Sequence, residues 1–177
     1  MLITISGLPG SGTTTVSRLV ASALHLDRVP GGEVFRQLAA ESGMTLAEFG
    51  EHVQHHPEID RELDDRLEAR AREGSCVIES RLAGWLADRA DLLAVRVWID
   101  CAEPVRAARV AERDGISPEQ AGRDNAERAA LERARYLAAY DIDLDDRTPY
   151  DLLLDSTSES AGTLADAVID RARAVFP

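Results

Sequence analysis

Lysine is absent from this chain: all 20 basic residues among its 177 are arginines. Any positive charge the fold uses is therefore a guanidinium, which binds oxyanions in a planar, two-pronged geometry. Cysteine is scarce as well. Cys76 and Cys101 stand alone without CxxC spacing, which argues against a disulfide framework and leaves two free, largely buried thiols as the expectation. No long apolar run occurs near the start, where residues 1–5 are followed at once by Ser6 and Gly7. That is too short for a secretory core or a membrane span, so a cytoplasmic protein is expected. A basic balance is missing too. The formal charge of -12 excludes a general binder of nucleic acid or anionic membranes, and an anionic ligand must meet a local basic cluster. Internal repeats, low-complexity tracts and linkers are also absent.

What is present reads as one folded unit. Hydrophobic residues make up 45% and charged residues 29%, ordinary for a globular chain, and the length suits a single domain over residues 1–177. Short apolar runs alternate with longer helical stretches, which predicts an α/β fold: a five-stranded, mainly parallel sheet flanked by helices in three layers. The strand candidates are residues 2–6, 76–79, 93–99 and 151–154, with a weaker fifth at 28–29. Val16, Leu19, Val20, Ala23 and Leu24 recur with helical spacing and predict one apolar face. Thr45 and Glu48 form a capping-box pattern ahead of Phe49 and Val53. Ile59, Leu63 and Leu67 repeat every four residues, and Glu62 and Arg66 are spaced as a helical ion pair. Ser117, Pro118 and Gln120 predict the start of a long helix running toward Tyr140, and a last helix from about Thr163 should bury Leu164, Val168 and Ala172. The break at residues 114–117 is the candidate for a mobile lid.

The most informative stretch is Gly7-Leu8-Pro9-Gly10-Ser11-Gly12-Thr13-Thr14-Thr15, which follows a strand and opens a helix, as a Walker A phosphate loop does. Its glycines let the backbone close around a phosphate with N–H groups pointing inward, and the helix start adds a favourable dipole. Thr14 holds the position whose hydroxyl ligates Mg²⁺. Thr13 stands where the pattern has lysine. A phosphorylated acceptor would need arginines, and Arg36 and Arg81 are candidates that could equally be surface residues.

Four blocks then resemble the archaeal-type cytidylate kinases, a branch of the nucleoside monophosphate kinases. They are the GLPGSGTTT loop, GEVFRQLAAESGMTLAEF at 32–49, ESRLAGW at 79–85, and RYLAAYDIDLDDRTPYDLLLD at 135–155, joined by the Arg-rich stretch 105–113. The resemblance implies a P-loop kinase fold with an acceptor-binding segment at about 31–72 and a lid at about 106–135. It implies ATP with Mg²⁺ as donor and CMP and dCMP as acceptors with weaker use of UMP; a monomer is expected. Arg36, Arg81, Arg128 and Arg135 would bind the acceptor, and Arg109 and Arg113 would act from the lid with Arg81 in catalysis. The chain departs from the family pattern at Asp141, Thr148 and Ala129. Two other readings stay open: the same fold with a modified nucleotide or specialised metabolite as acceptor, and a nucleotide-binding regulator without turnover.

The remaining constellations divide between function and plain solvation. Arg106, Arg109 and Arg113 form a cationic stripe at helical spacing, functional or salt-bridged to Glu103 and Glu112 in solvent. Glu79 ends a strand expected beside the loop, where P-loop proteins place an acid that orients Mg²⁺. Asp60 and Asp64 share a helical face and either touch the acceptor or form a solvated acidic face. His52, His55 and His56 lack a third ligand block, so a helix end in water is expected rather than a metal site.

Overall fold

Parallel strand pairing requires a crossover between strands, and this chain supplies a helical one each time. A computed structural model describes residues 1–177. Along the chain run β1 (Leu2–Gly7), α1 (Thr13–Leu24), β2 (Asp27–Pro30), α2 (Gly31–Glu41), α3 (Leu46–His55), α4 (Pro57–Glu73) and β3 (Cys76–Glu79). They are followed by α5 (Ala83–Arg89), β4 (Val95–Asp100), α6 (Glu103–Asp114), α7 (Pro118–Tyr140), β5 (Leu152–Asp155) and α8 (Ala161–Val175). The strand order is β2-β3-β1-β4-β5 and every pairing is parallel. No helix is long and apolar enough to cross a membrane.

Side chains of successive strand residues point to opposite faces, so each strand feeds two cores. Ile3, Ile5, Val77, Val97 and Ile99 pack under α1 and α8, while Leu2, Cys76 and Ile78 pack under α4 and α5. The central strand is β1, with β3 on one side and β4 on the other, so the crevice where the strand order reverses opens at its carboxyl end. The phosphate-loop sequence occupies that end.

Local signals hold where the chemistry is local. The Thr45–Glu48 capping box forms in both directions, Ser117 caps α7 through the Gln120 N–H, and Ser160 caps α8 through the Thr163 N–H. Two expectations need correction. In α1 the buried residues are Val16, Ser17, Val20 and Ala21, while Leu19 and Ala23 are exposed. The face is rotated because Ser17 turns inward to a carboxylate, which apolar periodicity does not register. Cys101 is only half-buried, because it lies just past the carboxyl end of β4, in the short link before α6. The break at 114–117 is a tight turn at Gly115 in the left-handed region (φ 70°), joining α6 and α7 into a packed helical hairpin with Ala107, Val110, Ala111 and Ala121 between them.

Candidate active site

Gly10 and Gly12 both adopt the left-handed backbone region (φ 83° and 88°), which β-carbon sterics make costly for other residues. A β-carbon at Gly10 would also lie 2.6 Å from the Arg106 carbonyl oxygen. These two residues turn the chain back so that Gly7, Leu8, Pro9, Gly10, Thr13 and Thr14 line one wall of a cleft. Ser11 is buried behind that wall, where its carbonyl accepts from the Ser156 hydroxyl at 2.8 Å. The Thr15 N–H is spent on the Gly12 carbonyl, at 3.0 Å.

Strand register brings an acid to this wall. Glu79 at the end of β3 aligns with Ile5 of β1, just before the loop. Its Oε1 accepts from the Thr14 hydroxyl at 2.7 Å and from the Thr13 hydroxyl at 3.0 Å, while Oε2 accepts from Ser17 at 3.1 Å and from Arg28 at 2.9 Å. Thr14 and Glu79 are hard oxygen donors side by side, a set that suits a hard cation such as Mg²⁺.

The opposite wall comes from α2, α4, the turn after β3, and α7. Five arginines (36, 81, 113, 128 and 135) and four carboxylates (Asp60, Asp64, Glu79 and Glu132) line the cleft. This chain of charge -12 therefore concentrates a cationic excess there. At its centre Glu132 is buried. It accepts from Arg81 Nε at 2.6 Å and from Arg128 Nε at 2.8 Å, while Arg81 Nη1 donates to the Gly7 carbonyl. Burial by itself pushes the Glu132 carboxyl up, but the Arg81 and Arg128 charges outweigh it and bring the carboxyl down to about 2.

A turn further along α7, Arg135 lies over the Phe35 and Tyr136 rings at 5.2 and 5.0 Å. Its Nε is 2.8 Å from Asp60 Oδ2, yet neither atom is aligned for a hydrogen bond, so the contact is an ion pair without a directed N–H bond. The Tyr140 hydroxyl donates to Asp64 at 2.8 Å. Burial pushes the Asp64 carboxyl up to about 7, against the pull of that hydrogen bond and aided by the Asp60 charge.

A cleft with a phosphate loop on one wall and arginines on the other narrows the chemistry to phosphoryl transfer, and sequence relatives narrow the family. The model of the cytidylate kinase-like family matches residues 2–158. The chain belongs to that family. It is 47% identical over 173 residues to a cytidylate kinase of Pyrococcus horikoshii, covering 96% of this chain and 88% of that one. It is also 42% identical over 170 residues to a cytidylate kinase of Archaeoglobus fulgidus, covering 96% and 93%. Among solved structures it resembles a shikimate kinase of Acinetobacter baumannii (TM-score 0.64, 15% identity, 99% and 94% covered) and a gluconokinase of Sinorhizobium meliloti (TM-score 0.64, 16% identity, 98% and 92% covered). Those likenesses bear on the fold alone.

For a cytidylate kinase-like chain, several residues singled out from sequence gather in one cleft: the loop, Arg36, Asp60, Asp64, Glu79, Arg81, Arg113, Arg128 and Arg135. Arg36 is exposed and makes no hydrogen bond to protein, and Arg113 is held by Asp114 at 2.6 Å. Asp60 and Asp64 are buried, which removes the solvated-face alternative. Arg109 does not join them. Its guanidinium donates to the Ser156 carbonyl at 2.7 Å, the Ser156 hydroxyl at 3.0 Å and the Gly10 carbonyl at 3.4 Å, so it braces the loop from behind. Arg106 likewise donates to the Cys101 carbonyl at 3.1 Å and to Pro9 at 3.4 Å. The reason is position: both side chains leave α6 before its last turn, level with the loop backbone, whereas Arg113 leaves from that turn. The histidines sit where α3 ends, with the His52 and His56 rings 4.3 Å apart and His56 against Glu58.

Sequence reasoning missed Glu132, Ser17, Arg28, Phe35 and Tyr140. Glu132 carried a readable signal, since it follows Arg128 by four residues on a predicted helix. Arg28 and Ser17 carried none, because only the β2–β3 register and the packing of α1 on β3 bring them to Glu79.

Proposed function

We propose that this chain transfers the γ-phosphoryl group of ATP to CMP, and to dCMP, yielding ADP and the cytidine diphosphate, as a cytoplasmic monomer. The observation that carries the reading is the cleft itself, a phosphate loop facing a cluster of arginines in an acidic chain whose relatives are cytidylate kinases.

The loop residues Gly7 to Thr15 wrap the ATP phosphates, and the N–H groups of Gly10, Gly12, Thr13 and Thr14, which no backbone carbonyl of the loop takes up, hold them together with the α1 dipole. Thr14 and Glu79 are the residues that would hold Mg²⁺, which would supply charge neutralisation to the ATP phosphates. Residues 31–72 form the acceptor-binding segment, and 106–135 the lid. Arg36, Arg81 and Arg128 fix the acceptor phosphate, with Arg135, Asp60 and Asp64 on the side away from the loop. An acceptor phosphate oxygen attacks the γ-phosphorus in line while the bond from that phosphorus to the β,γ-bridging oxygen breaks, so ADP leaves with that electron pair. A phosphate monoester is largely dianionic at neutral pH and needs no base to attack. Catalysis is positioning and charge, which suits a cleft of guanidiniums. With Thr13 in place of lysine and Arg109 engaged behind the loop, Arg113 on the cleft wall is the cation assigned to the γ-phosphate.

A coupled ADP-release assay over the nucleoside monophosphates tests this. CMP is expected to show kcat/KM at least about tenfold above AMP and GMP, a gap of about 1.4 kcal/mol. Equal or greater activity with a purine monophosphate refutes the acceptor assignment, and no ADP release with any acceptor refutes the kinase reading.

A further inference from the structure

Arg81 and Arg128 come from distant parts of the chain, the turn after β3 and the middle of α7, and one side chain bonds to both guanidiniums. It is Glu132, one turn beyond Arg128 on α7. It is 4% exposed and accepts from the Nε of both side chains, at 2.6 and 2.8 Å. With Nε fixed, both guanidinium planes are set, and the Arg128 Nη nitrogens make no hydrogen bond to protein. Arg81 also donates through Nη1 to the carbonyl of Gly7, the first residue of the phosphate loop. A continuous polar connection therefore runs from the donor loop through Arg81 and Glu132 to Arg128.

We infer that Glu132 is a positioning residue: it registers the acceptor-phosphate arginines against the donor loop, so that the attacking oxygen and the γ-phosphorus meet in line. This rests on the acceptor-site reading above. Without the carboxylate, two partly buried guanidiniums repel each other and keep no common anchor. The site would become more positive yet less ordered. Weaker transfer is the expected result, because a displacement of about 1 Å in a transfer geometry costs on the order of 10²-fold in rate.

The test is Glu132→Gln, which keeps the shape and removes the charge, assayed at saturating ATP and CMP. The expected result is a kcat at least about tenfold lower, a raised KM for CMP, and an ATP dissociation constant within about twofold of wild type, a split that general loss of folded protein would not give. Glu132→Asp keeps the charge on a shorter stem and should retain more of kcat than the glutamine variant; it also serves as the test if that variant does not fold. Arg128→Ala combined with Glu132→Gln should lower kcat by much less than the product of the two single effects, because one acts through the other. A wild-type kcat in Glu132→Gln, or independent effects in the double variant, overturns the inference while leaving the kinase reading intact. A wild-type protein that phosphorylates no nucleoside monophosphate would instead overturn the reading on which it rests.

Discussion

The two buried charge clusters along α7 use the same residue types in inverse proportion. Around Glu132, two guanidiniums share one carboxylate, whereas Arg135 is paired with Asp60 alone and a second buried carboxylate, Asp64, lies near enough to feel both charges. Burial raises the carboxyl pKa in both places. In the first cluster two cations overcome it and Glu132 falls to about 2; in the second, one cation is too few and Asp64 rises to about 7. Burial alone therefore does not say whether a carboxylate is charged, and the local count of guanidiniums does. The first cluster keeps a net positive charge for a phosphate. The second is near neutral once Asp64 holds its proton, and lies against the Phe35 and Tyr136 rings.

Arg135→Ala should break the comparison most severely, since it leaves Asp60 buried without a partner. Removing one side of a buried pair costs about 3–5 kcal/mol, and urea unfolding at pH 7 should show a loss of that order. A loss below about 1 kcal/mol would mean that Asp60 takes its proton without consequence and that the pair is not a structural element.

Arg81→Ala reduces the first cluster to one guanidinium and cuts the link to Gly7. We expect kcat/KM for CMP to fall by about 10²–10³-fold, the range for loss of one preorganised charge-stabilising group, with ATP affinity nearly unchanged. If ATP affinity falls and the CMP KM does not, Arg81 serves the donor side.

The smallest effect separates the clusters by pH. Asp64 binds a proton more tightly folded than unfolded, so its contribution is full below the ordinary carboxyl value of 3.8 and is lost as pH rises through about 7. Glu132 runs the other way, contributing above 4.5 and losing that contribution as pH falls through about 2. Between about pH 5 and 8 the melting temperature should therefore drift down in wild type and flatten in Asp64→Asn. An identical slope in both proteins would show that Asp64 is charged throughout.

The α/β alternation, the phosphate loop, the helix caps and the candidate arginines were all legible in the amino-acid order, because each depends on residues within a turn or two of one another. Gly10 and Gly12 stand where the loop takes positive φ between its strand and helix, and Ser117 and Thr45 each cap their own helix. Three matters were decided only by tertiary structure, since they depend on which distant groups share a buried space. Sheet register and the docking of α1 set Glu79 against Thr13, Thr14 and Ser17 of α1 and Arg28 of β2. Docking of α6 beside the loop turned Arg106 and Arg109 to backbone carbonyls and left Arg113 on the cleft wall, although the three look equivalent on a helical stripe. The packing of α7 against α4 and the turn after β3 sorted four acids and five arginines into one cleft, where desolvation and the nearest opposite charges set each protonation state. Sequence names those groups, but their charges depend on distances that exist only once the chain is folded.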